Sequence, residues 1–148
     1  MVEIETADTA DADCIIEMWV ELADSQRRYG SHIPGESNRK PIRESVLRHI
    51  TGDQLLVARR DEILGFVMFA EEHGSFEQDV TRGMVENLYV EPAARNEGIG
   101  SRLLSRAESH LEERGVDTVS LNVMAENDAA RRFYRQHGYD PHRIEFEK

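Results

Sequence analysis

The chain has 148 residues, 39% of them hydrophobic, with 29 acidic side chains against 18 basic ones and a net charge of −11. That length suits one globular domain over residues 1–148, and the apolar content excludes disorder as the dominant state. The acidic balance argues against a nucleic-acid partner, which needs a basic excess to neutralise phosphates, and no apolar run is long enough to span a bilayer.

Val2–Ala7 is expected to form a short strand, followed by the polar turn Asp8–Asp13. The leading MVEIETADTADAD lacks the basic and apolar regions of a secretion signal, so a cytoplasmic location is expected. Cys14–Ala23 carries Ile15, Met18, Trp19 and Leu22 at helical spacing. Cys14 is the single cysteine, which excludes an intramolecular disulfide, and its expected role is a small buried apolar residue of that helix. The Gly-, Pro- and Ser-rich stretch SQRRYGSHIPGESNRKP reads as a loop or broken helix. Ile42–Ile50 resumes the helical pattern, with Gly52 as its stop.

Gln54–Arg59 and Ile63–Ala70 are apolar runs around Arg60-Asp61-Glu62, the pattern of an antiparallel hairpin. After the polar stretch Glu71–Thr81 comes a strand, Gly83–Val90, which Pro92 ends. From Gly98 the period changes to about 3.6: Ile99, Leu103, Leu104, Ala107 and Leu111 share a face, and Gly115 follows as the cap. Thr118–Met124 alternates as a strand, and Asn127 is a good N-cap for a short helix Asp128–His137 closed by Gly138. His142–Glu147 is expected to be a last strand. The order is β-α-α-β-β-β-α-β-α-β, a mixed α/β sheet in which the later strands are parallel around a crossover helix.

Chemistry concentrates where the Gly83–Val90 strand turns into the next helix, at Arg95-Asn96-Glu97-Gly98-Ile99-Gly100. A helix N-terminus presents unpaired N–H groups and partial positive charge, and Gly98 and Gly100 remove Cβ atoms from the approach of a bulky anion. A phosphate or pyrophosphate site follows, although glycines there also permit tight packing. The dinucleotide-binding fingerprint does not fit, because the loop follows the fourth strand and no full G-x-G-x-x-G is present. The six histidines show no metal-ligand spacing, so no metal is expected.

NLYVEPAARNEGIGSRLL resembles the acetyl-CoA motif of the GNAT-type N-acetyltransferases, R/Q-x-x-G-x-G/A after a strand. LNVMAENDAARRFYRQHGY resembles that family's next motif: a strand, an asparagine, a helix carrying Phe-Tyr, then Gly-Phe/Tyr. Order and spacing match over nearly the whole chain, and the GNAT fold is what the resemblance implies. It further implies acetyl-CoA in a cleft where the strands at Gly83–Val90 and Thr118–Met124 splay apart. The pantetheine arm would pair with Leu88, Tyr89 and Val90, the pyrophosphate would meet N–H groups of Arg95, Asn96, Glu97, Gly98, Ile99, Gly100 and Ser101, and Asn127 would contact the cofactor arm. An amine would attack the thioester directly, without an acyl-enzyme, and Tyr134 would be the general acid near the sulfur. Alone, Tyr134 reads as a packing aromatic above Ala130, and Asn127 is explained by capping.

Direct attack also needs a group that takes the amine's proton. Glu86 is the candidate, on the same strand face as Leu88 and Val90 by period two; a solvated strand glutamate is the alternative reading. Members that acetylate protein N-termini often carry a glutamate where this chain has Asn122, and an amide cannot act as a base. Glu97 would set a carboxylate beside the pyrophosphate unless it turns away, with Arg95, Arg102, Arg131, Arg132 and Arg135 as offsetting charges. A non-catalytic acyl-CoA-binding module is the second reading.

Residues Trp19–Ile33 and His73–Thr81 would shape the pocket for a small-molecule or peptide amine. They belong to residues 1–81, which hold 17 acidic and 8 basic side chains. That charge suits a cationic acceptor. The tail after Gly138 has room for one full strand where the family has two, so an open sheet edge and a homodimer are expected. Lysine occurs only as Lys40 and Lys148, and the acid-rich surface fits a halophilic source. Stability measured from low to molar KCl should then rise with salt; a midpoint indifferent to KCl contradicts salt adaptation.

Overall fold

Along Ile63–Ala70, Phe66 and Met68 point to one side while Val67 and Phe69 point to the other, and all four are essentially inaccessible. A strand buried on both faces requires helices on both sides of its sheet. A computed structural model describes residues 1–148 and has that arrangement. The elements are β1 (Glu3–Thr6), α1 (Ala12–Gln26), α2 (Arg39–Thr51), β2 (Leu55–Arg60), β3 (Glu62–Glu71), β4 (Arg82–Val90), α3 (Ile99–Glu113), β5 (Thr118–Ser120) and α4 (Asp128–Gln136). The five strands lie in sequence order, antiparallel from β1 to β4, with β5 parallel to β4.

Helices α1 and α2 cover one face, where Ile15, Ile16, Ile42 and Val46 pack on Leu55, Val57, Phe66 and Met68. Helix α3 covers the other, with Ile99, Leu103, Leu104, Ala107 and Leu111 against Leu56, Val67, Phe69 and Val85. Each buried aromatic of this kind is worth roughly 3–5 kcal/mol against truncation to alanine. Ahead of α1, Asp8 and Asp11 form a capping box, of order 1 kcal/mol. Arg59 of β2 ties this corner together by donating to Glu5 of β1 and, at 2.9 Å, to the buried Asp11.

Three expectations fail here. Cys14 is exposed: α1 buries Ala12, Ile15, Ile16, Met18, Val20 and Ala23, a stripe that leaves position 14 on the solvent side. Partial desolvation and the charges of Glu91 and Asp11 raise its thiol, so it is a poor nucleophile. The strand expected to reach Met124 stops at Ser120, because β5 pairs with β4 only at Arg82–Met84. The final strand, His142–Glu147, does not form. No strand edge continues beside Leu121–Met124 to receive it, and its alternating Ile144 and Phe146 remain 72% and 90% exposed. Instead Glu147 reaches back to His32 at 3.0 Å.

Candidate functional site

The site begins with a single unpaired residue. Along β3 and β4, Met68 faces Asn87 and Phe69 faces Val85, so Glu86 is an extra residue, a β-bulge. The bulge corrects the face expected for Glu86. Leu88 and Val90 pack toward α3, whereas the Glu86 carboxylate meets His49 of α2 on the opposite side, Oε1 to Nε2 at 2.7 Å. Period two fails at a bulge because one residue is inserted without a partner.

Just before the bulge, β4 and β5 part. Their ladder covers Arg82–Met84 against Thr118–Ser120 and ends there. The β5 side of Val85–Val90 therefore has no strand partner, and backbone groups of Leu88, Tyr89 and Val90 lie along a wedge-shaped opening. Leu88, Val90, Leu121, Phe133 and Tyr134 are partly buried apolar groups packed against the α3-side core.

At the end of β4 the loop turns sharply. Asn96 and Gly98 both adopt left-handed backbone, φ 67° and 81°, a conformation that costs ordinary side chains about 1–2 kcal/mol. Arg95 holds the turn by donating from Nε to the Val90 carbonyl at 2.8 Å, with its guanidinium 5.7 Å from the Tyr89 ring centre. Arg102 is the first residue of α3 to donate back, to the Gly98 carbonyl at 3.2 Å. The N–H groups from Asn96 to Ser101 have no backbone acceptor, and no side chain caps the helix. Their alignment makes a donor set for an anion.

Glu97 does not face that donor set alone: Arg60 of β2 holds its carboxylate at 3.2 Å. Both partners are 43% exposed, so the pair adds well under about 1 kcal/mol of stability; its consequence is to neutralise a charge that would oppose phosphate. Gly100 is informative in another way. A Cβ built there meets only Phe133 and Val90 side-chain atoms, at 3.6 Å and beyond, which is ordinary contact. Neither packing nor backbone angle requires glycine at this position.

Helix α4 closes the opening. Asn127 caps it by accepting from the Ala130 N–H at 3.1 Å. Ser101 and His137 join α3 to α4, Oγ to Nε2 at 2.9 Å, and Tyr139 donates to Glu108 of α3 at 2.6 Å. Tyr134 stands edge-on to Phe133 and Tyr139, with centroids 5.1 and 5.9 Å away. No protein group hydrogen-bonds its hydroxyl, and burial pushes its pKa up to about 12. The phenol therefore stays protonated across the physiological range and is free to donate. Arg131, Arg132 and Arg135 line an open depression on α4 with Asp128 and Gln136.

On the opposite face, Glu21 of α1 accepts from the Tyr89 hydroxyl at 2.7 Å, and Asp24 accepts from the Gly35 N–H at 2.7 Å. The loop after α1 passes Met124 at Gly30. Trp19 buries its indole N–H without an acceptor. His49 is the residue that sequence reasoning missed. It follows Val46 by three, within the apolar face of Ile42, Val46 and Ile50, and that placement is the signal that would have marked it as buried.

Residues 16–139 match the acetyltransferase (GNAT) family. The mycothiol acetyltransferase of Beutenbergia cavernae is 41% identical over 63 residues, 43% of this chain; the match spans only 21% of that longer protein. The aminoalkylphosphonate N-acetyltransferase of Salmonella typhimurium is 24% identical across 99% of this chain and 90% of its own. The structure of the PaiA N-acetyltransferase of Thermoplasma acidophilum, solved with coenzyme A, superposes with a TM-score of 0.74 at 22% identity, covering 98% of this chain and 93% of that one.

Gly100→Ala separates the ligand role from the packing role. Thermal unfolding should hold steady or rise, since alanine favours the helix by about 0.5–1 kcal/mol, while affinity for coenzyme A measured by calorimetry should fall roughly tenfold or more.

Proposed function

The chain belongs to the acetyltransferase (GNAT) family, and on that footing we propose that it transfers the acetyl group of acetyl-CoA to a primary amine by direct attack in a ternary complex. The observation that carries this reading is the parting of β4 from β5 beside the bulge, with Tyr134 on the α4 side and Glu86 on the α1–α2 side. The unpaired β4 backbone at Leu88–Val90 would receive the pantetheine arm, and the N–H groups of Asn96–Ser101 its pyrophosphate. Arg95 braces that loop, and Asn127 begins the helix that carries Tyr134.

A protonated amine has no electron pair to attack with, so its proton must leave first. Glu86, on the acceptor side and partly exposed, is the residue that takes it. The departing thiolate would otherwise leave as a free anion in a partly desolvated cleft, and the Tyr134 hydroxyl donates a proton to it. Cys14 takes no part.

The acceptor is a small-molecule or peptide amine. Glu21, Asp24 and Glu86 on the α1–α2 side favour a cationic one, and a relative that by its name acetylates aminoalkylphosphonates points to compact amines. Acceptor-dependent release of coenzyme A thiol, followed by mass spectrometry over polyamines, aminoglycosides, aminoalkylphosphonates and basic peptides, tests the reading. Cofactor binding without any such release would support a non-catalytic acyl-CoA-binding module instead.

The roles of the two residues make a paired prediction. Glu86→Gln and Tyr134→Phe should each lower kcat on the order of a hundredfold, while the affinity for acetyl-CoA changes by less than about threefold. Unchanged turnover in either variant removes that residue from the chemistry. The short β5 and its open edge further favour a homodimer; sedimentation should then show twice the chain mass, and a concentration-independent monomer contradicts it.

A further inference from the structure

We propose that His49 and Glu86 work as one proton-holding pair, in which His49 is a positioning residue that sets when Glu86 is able to take the acceptor's proton. This rests on the reading of Glu86 as the proton-taking group. His49 is 5% exposed. Its Nδ1 lies 2.7 Å from the Ser45 carbonyl oxygen, which only accepts, so Nδ1 carries a hydrogen. Its Nε2 lies 2.7 Å from Glu86 Oε1. An ionised carboxylate also only accepts, so the contact must hold one proton: an imidazolium donates to a carboxylate, or a carboxylic acid donates to a neutral ring. Without that proton, two lone pairs face each other.

Burial alone would drive the imidazole toward its neutral form. The hydrogen bonds that the ring donates to Glu86 and to the Ser45 carbonyl, with the Glu86 charge, together outweigh burial and raise the ring above its ordinary value. Glu86 from β4 and Arg48 from α2 itself are the charges that act on the ring, and Arg48 opposes the rise.

The consequence is chemical. While the shared proton is held, the Nε2–Oε1 contact is already satisfied and takes no further proton. The useful base is the pair after it has lost its shared proton. One N–H bond of the acceptor ammonium then breaks, the proton is taken at Oε2, and a half-turn of the carboxyl group brings that O–H to Nε2 and restores the shared hydrogen bond. The nitrogen keeps the electron pair that attacks the thioester. The pair gains one positive charge and the acceptor loses one. Oε2, which has no protein partner, is the oxygen left open to the acceptor or to a relaying water.

Two measurements decide the matter. The first is kcat against pH at saturating substrates. In the wild type its acid limb should have a midpoint above about 6.5. In His49→Gln, which keeps an N–H donor but cannot titrate, the midpoint should fall by roughly one to three units toward the carboxylate range. A midpoint that stays put overturns the proposal, because a purely structural histidine would lower the rate without moving the profile. The second is NMR titration of the His49 ring in the wild type and in Glu86→Gln. Loss of the carboxylate should let burial dominate and bring the ring's midpoint below about 6.5; identical titration in both proteins overturns the pairing. The NMR experiment needs no acceptor and no turnover, so absence of acetyl transfer would count against the proposed function while leaving the pair itself tested.

Discussion

Strands β4 and β5 share three residue pairs and then separate, and the architecture of the site follows from that separation. A parallel pair that continued would satisfy the backbone of Val85–Val90 and fill the space with side chains. Because it stops, the sheet exposes a row of backbone groups flanked by α4 on one side and reached by α2 on the other. The bulge at Glu86 sits just beyond the last pair and re-aims the strand. One inserted residue thus divides β4: Leu88 and Val90 go to the α3 face, while Glu86 goes to the α1–α2 face.

This division keeps opposite chemical demands apart. On the proposed reading, the α3–α4 side would receive a highly anionic ligand in a protein with net charge −11. That side offers unpaired N–H groups, whose partial charges need no lysine or arginine, and Arg60 holds Glu97 there. The α1–α2 side carries Glu21, Asp24 and Glu86, each engaged by a hydrogen bond that sets its orientation. On the proposed reading, these three carboxylates lie on the side from which a cationic amine would arrive.

Burial does different work on the two titratable groups at the centre. Tyr134 has no partner, so desolvation acts alone and keeps the phenol protonated. His49 is also buried, but a carboxylate and a carbonyl stand at its two nitrogens, so hydrogen bonding overrides desolvation and the ring rises. Depth sets the sign for Tyr134, and partners set it for His49.

The periodicity of the chain determined most of its elements. Ile99, Leu103, Leu104, Ala107 and Leu111 are buried on α3 as their spacing predicts, and Asn127 caps α4. The Arg95–Gly100 loop, with Tyr134 downstream, was also legible, because a motif of glycines between a strand and a helix is local in the chain. What the chain order could not reveal was long-range. Glu86 departs from period two because its bulge depends on β3, and its contact with His49 joins residues 37 apart. The last strand failed because its alternating pattern had no edge to pair with, and Cys14 fell outside the face that α1 buries. Local spacing settles which residues share a face of one element. Only tertiary packing decides what that face meets, because pairing and burial are properties of two surfaces together.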